Sequence, residues 1–207
     1  MCPPRGLPPL AKAALETWFG AMDGDAYPAA NPARWFGKDP AFDATLRDAF
    51  GELLVAIAMD EDDEGPWLAS AHGQLARILV LDQFTRNIYR GSAKMYALDD
   101  EALDLALLAI ETGRDDELHP QERVFCYMPL MHAESVPLQR MCVRQFERLV
   151  AEASDAQHEA FAANLEYALL HLEVIERFGR FPHRNALLYR ESTADELRFL
   201  MTPGSSF

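Results

Sequence analysis

The sequence is short of most features that announce a reaction. Only three of its 207 residues are cysteines, Cys2, Cys126 and Cys142. Being odd in number and far apart, they form neither a disulfide framework nor a CxxC metal or redox motif. A reduced chain in the cytoplasm is the simplest expectation. The glycines, among them Gly20, Gly24, Gly37, Gly51 and Gly65, are too scattered to build a phosphate-cradling loop. Ser92, Ser135 and Ser192 have no GxSxG setting, and Cys126 and Cys142 fall on apolar helical faces where a thiol is inert. No nucleophile is therefore legible. No apolar run approaches the roughly 20 residues that cross a bilayer, and MCPPRGLPPLAKAALETWFG lacks the apolar centre of a targeting peptide. Basic charge is scarce as well: 19 Lys and Arg face 33 Asp and Glu, a net charge of -14. Such a field repels phosphate backbones and anionic lipid, so neither nucleic acid nor a membrane is an expected partner.

What the chain does have is apolar residues, 49% of the total, at helical spacing. Its length suits one core, and a single all-α domain over residues 1–207 is expected. Pro8 and Pro9 open a helix with Leu10, Ala14 and Trp18 on one face and Gly20 at its end. After a proline- and alanine-rich loop, Asp39 caps a second helix whose buried stripe is Phe42, Leu46, Phe50, Leu53 and Ile57. Pro66 opens a third that runs to Gly91, and Asp99 caps a fourth that stops at Gly113. A fifth begins at His119 and Pro120 and must kink or break at Pro129, which lacks a donor and crowds the preceding turn. Ser135 and Pro137 start a sixth. Asp155 starts a seventh, with Phe161, Leu165, Leu169, Leu172 and Ile175 inward and Gly179 at its end. Thr193 and Glu196 form a capping box for a short last helix. No period-two alternation suggests a strand. Short connections imply antiparallel helical pairs, arranged as an irregular bundle or as a tetratricopeptide-like superhelix. Periodicity does not choose between these, and no clean 34-residue repeat is found.

Three polar stretches interrupt the apolar pattern: LVLDQFTRNIYRG at 79–91, PLMHAES at 129–135, and IERFGRFPHRNALLYRESTADELRFL at 175–200. Together with WFG at 18–20 and WF at 35–36 they resemble the bacterial domain-of-unknown-function 924 family over almost the whole chain, FGRFPHRN most specifically. The resemblance implies an all-α fold similar to tetratricopeptide-type helical arrays and no assigned activity. The sequence departs from the pattern at Thr85, where proline is expected, at Ala133, where serine is expected, and at Leu188-Tyr189-Arg190, where Leu-Gly-Arg is expected.

Any chemistry should lie in these stretches. Asp82 and Arg86 are spaced as an intrahelical ion pair, which orders a helix end unless Arg86 reaches into a cleft. His132, Glu134 and His171 could ligate a metal if the fold gathers them. With no HxxxH or HExxH pair, however, a hydrogen-bonded core network with no metal and no cofactor is expected. Arg180, His183 and Arg184 crowd a turn after a helix end, where they either complement the helix dipole or grip an anion by forked hydrogen bonds. Two function classes follow. One is a binding or scaffold module whose pocket of Arg86, His132, Arg180, His183 and Arg184 takes a small anion or a peptide carboxylate, supported by Asp82, Glu134 and His171. The other is a hydrolase-type or metal-assisted enzyme using His132, Glu134, His171 and His183.

Overall fold

A computed structural model describes residues 6–21 and 31–205, and every regular element among them is helical. Cys2 and most of the proline- and alanine-rich loop lie outside the described residues. The chain divides into two compact units, Met1–Arg90 with Lys94–Pro129, and Gly91–Ala93 with Leu130–Phe207.

The first unit holds α1 (Pro9–Phe19), α2 (Pro32–Phe36), α3 (Pro40–Ala58), α4 (Ala71–Ile78), α5 (Thr85–Ile88), α6 (Asp99–Thr112) and most of α7 (Pro120–His132). Local chemistry fixes several ends. Asp39 Oδ1 accepts from the amides of Ala41 and Phe42 at 2.9 and 3.2 Å, satisfying two donors the first turn leaves open. Gly113 ends α6 at φ 71, a conformation that favours glycine. The core is aromatic: the fully buried Trp18 lies 5.5 Å from Phe125 and 5.7 Å from Phe84. Helix α2 falls within what reads as loop. Asn31 caps it, and Trp35 Nε1 donates to the Trp18 carbonyl at 2.9 Å.

Three further expectations are corrected. Pro66 opens only a turn, in which Trp67 and Leu68 donate to the Glu64 carbonyl, and α4 starts after Ser70. That turn packs so closely that a Cβ on Gly73 would stand 2.1 Å from the Trp67 carbonyl oxygen. Asp99 occupies the first helical position of α6 rather than the cap, because its carboxylate is drawn to Arg86. Helix α7 does not break at Pro129, which rules out one of the two outcomes expected there. Phe125 to Leu130, Pro129 included, are all buried, and their packing outweighs one lost donor.

In the second unit α8 (Val136–Glu152) and α9 (Asp155–Phe178) pack together as an antiparallel hairpin across a two-residue link, followed by a 3₁₀ turn (Pro182–Arg184) and α10 (Ala194–Leu200). Gly179 closes α9 at φ 70. The Thr193–Glu196 capping box is formed, with bonds of 3.2 and 2.7 Å. The inward face of α9 is turned from the expected one: Phe161, Ala168, His171, Val174 and Ile175 are buried while Leu169 is 48% exposed. Cys126 and Cys142 are buried, and burial pushes both thiols up.

Candidate functional site

The second unit gathers its polar residues around Phe181. Gly179 ends α9, Pro182 restricts the backbone, and Arg184 N donates to the Phe181 carbonyl at 3.1 Å, so the FGRFPHRN run folds back on itself. The buried Phe181 ring has the Arg184 guanidinium 4.5 Å from its centroid, the His171 imidazole edge-on at 5.5 Å and the His183 imidazole at 5.6 Å. Arg184 Nη2 also donates to the carbonyl of His132 at the end of α7, at 3.0 Å. His132, His171, His183 and Arg184, distant in sequence, are therefore brought to one corner. His171 and Arg184 are buried, whereas His132 and His183 are only half-buried.

The field at this corner is positive. Burial lowers His171 to about 3, its hydrogen bond to the Tyr167 carbonyl at 2.7 Å opposes this, and His132, His183 and Arg184 push it further down. Burial likewise lowers His183 to about 4, aided by Arg184, His132 and Arg190 and opposed by Glu134. Both imidazoles are neutral at ordinary pH.

A lattice of ion pairs frames the corner. Arg190 forks onto Glu134 at 2.6 and 2.9 Å and also reaches Asn185 Oδ1 and the Phe181 carbonyl, while Phe181 N donates to Glu134 at 2.8 Å. Burial pushes the Glu134 carboxyl up, but the bonds from Arg190 and Phe181 and the charges of Arg190 and Arg184 outweigh it and hold it low. Arg180 forks onto Glu196 at 2.6 and 2.9 Å, and mainly that bond takes Glu196 down to about 2. Sequence reasoning missed Arg190 and Asn185 and read Glu196 only as a cap. The signal was present in the same stretch, where the arginines at 180 and 190 find carboxylate partners outside the turn.

Arg86 and Asp82 belong to the first unit. The segment Leu79–Phe84 is a π-helix, and Arg86 meets Asp82 Oδ1 at 2.9 Å, the Asp82 carbonyl at 2.8 Å and both Asp99 oxygens at 2.9 and 3.0 Å. Burial alone would lower Arg86, but Asp82 and Asp99 raise it. Among the described residues no group of three or more His, Cys, Asp or Glu is placed to hold a metal ion, and no helix is long and apolar enough to cross a membrane.

A profile of a bacterial family of proteins of unknown function, DUF924, matches residues 14–204. The chain belongs to the DUF924 family. A solved structure of a protein of unknown function from Agrobacterium tumefaciens is 37% identical, with a TM-score of 0.77 over 93% of this chain and 97% of that one. No curated protein matches. The DUF924 match takes in every residue of the corner and of the Arg86 cluster. Two positions where the sequence departs from the DUF924 pattern have a structural account. Thr85 Oγ1 donates to the Leu81 carbonyl at 2.6 Å, and Tyr189 stands at φ 54, in the region that favours the glycine expected there.

Proposed function

We propose that this chain is a cytoplasmic binding module whose second unit takes a small anion, or the carboxylate of a peptide or metabolite, at His132, His183 and Arg184. The observation that supports this reading is the convergence of Arg184, His171 and His183 on one ring, in a positive local field on a chain of net charge -14. Neutral imidazoles offer N–H donors without mutual repulsion, and a guanidinium seated on an aromatic face is a preorganised partner for an oxyanion. Arg180 and Arg86 direct their charge to Glu196 and to Asp82 and Asp99, so the proposed site narrows to the other three residues.

An acid–base enzyme built on His132, Glu134, His171 and His183 has less behind it. Imidazoles at about 3 and about 4 and a carboxylate held ionised by Arg190 lie far from the neutral range in which proton transfer is most effective.

The test is thermal unfolding in inorganic phosphate or acetate against chloride at matched ionic strength. At a hundredfold excess over Kd, binding adds about 2.7 kcal/mol, or roughly 5 to 10 °C in Tm for a chain of this size. Arg184→Lys and His183→Asn should shrink the shift while leaving the chain folded. Identical Tm in all three anions would remove the proposal.

A further inference from the structure

Besides the face it buries, α9 carries an apolar stripe along its outer side. Ala160, Ala163, Tyr167, Leu170 and Val174 recur at intervals of three, four, three and four residues, the spacing that keeps side chains in line along a helix. Tyr167 and Leu170 are 57% and 43% exposed, so the middle of the stripe lies open to solvent. Its C-terminal end runs into a groove of about 150 Å³ lined by Leu170, Val174 and Phe178 and by Phe199 of α10. The roughly 300–1,000 Å³ of a small-molecule pocket exceeds that volume, whereas one apolar side chain suits it.

A row of acids runs beside the stripe. Glu159, Glu166 and Glu173 are seven residues apart, each directly before a stripe position, and all three are exposed. Among the described residues none of the three has a hydrogen-bonding or ion-pair partner, whereas Glu176 meets Arg140 of α8 at 2.7 Å. Arg177, also at the groove, is placed over the rings of Phe178 and Phe199 rather than on this row. Charges that flank an apolar helical seam choose the helix that pairs with it. Unanswered glutamates over about 21 Å of helix select a partner with cations at the same repeat. A second copy of the chain would bring its own glutamates and a further charge of -14.

We propose that this face of α9 docks a basic amphipathic helix of another protein, apolar along one side, carrying Lys or Arg about every seven residues beside it, and seating one apolar side chain in the groove. This inference does not rest on the anion site.

The probe is a synthetic helix of three heptads with leucine at the two inward positions of each and lysine beside them, and its companion has glutamate for lysine. Fluorescence anisotropy in about 0.15 M sodium chloride reads the binding. The chain should bind the lysine peptide and not the glutamate one, and Leu170→Gln should weaken binding about tenfold. Glu159→Lys, Glu166→Lys and Glu173→Lys together leave the chain net negative. Attraction to the overall charge would therefore still favour the lysine peptide, whereas docking on α9 reverses the preference. Circular dichroism checks that both variants are folded. No binding of the lysine peptide, binding untouched by Leu170→Gln, or a triple variant that still prefers lysine would overturn the proposal. So would sedimentation showing a second copy on this face, with self-association lost in Leu170→Gln.

Discussion

Arg86 and Arg184 are both arginines set into apolar surroundings, and the chain handles them in opposite ways. Arg86 is closed off by opposite charge, with Asp82 on its own helical segment and Asp99 at the head of α6. Arg184 is stacked on an aromatic ring beside the neutral imidazoles of His171 and His183 and donates to the carbonyl of His132, with Glu134 near enough to feel its charge but forked onto Arg190 instead. Matched charges make a cluster that orders a fold. Collected donors make a corner with a field that a ligand can answer. The difference sets how each should respond to acid, to substitution and to anions.

The largest expected effect is acid sensitivity in the second unit. His171 and His183 have folded-state pKa values of about 3 and about 4, below the ordinary 6.5. The unfolded chain therefore binds their protons more tightly, and stability falls as pH drops from about 6.5 towards about 4. Each histidine contributes at most about 1.4 kcal/mol per pH unit, so over that window the two together are bounded by about 7 kcal/mol. Urea unfolding at stepped pH measures this slope, which should flatten in His171→Gln and His183→Asn. A slope unchanged in both variants would mean that burial does not hold these imidazoles below their ordinary range. Glu134 and Glu196 act lower down. Their pKa values are depressed, Glu196 to about 2, so their contribution persists above the ordinary 4.5 and is lost only beneath it.

Next is the closed cluster. Arg86→Ala strands two acids, one of them fully buried, and should cost about 3 to 5 kcal/mol. Chemical denaturation in phosphate and in chloride should give the same loss. A loss that depended on the anion would erase the distinction between the two arginines.

How far the sequence foretold this follows from the range of each signal. Helix ends set by local chemistry were readable: Asp39 before Pro40, Gly113, Gly179 and the Thr193–Glu196 box are satisfied within a few residues. Features set by packing were not. Asp99 reads as a cap but serves Arg86, thirteen residues away, and the apolar Leu169 faces solvent because Ala168 and His171 occupy the inward side. The site behaves likewise. FGRFPHRN identifies Arg180, but its carboxylate partner Glu196 lies sixteen residues away and Glu134 is paired with Arg190, fifty-six residues away, distances at which spacing carries no geometric information. The glycine expected at Tyr189 was legible only as a departure, and φ 54 supplies its reason.

The smallest effect follows from that position. Tyr189→Gly relieves a left-handed conformation and should raise stability by about 1 kcal/mol, visible as a small rise in urea midpoint at dilute protein. A fall would show that the tyrosine ring supports the fold of its own chain.

The positive corner is tested most directly by following the imidazole resonances of His171 and His183 by NMR across pH 3 to 8, a window roughly spanning histidine titration, with and without inorganic phosphate. The expected result is that both rings stay neutral through pH 5, and that phosphate raises the apparent pKa of His183. Titration of both rings near 6.5, or a His183 curve indifferent to phosphate, would contradict the account.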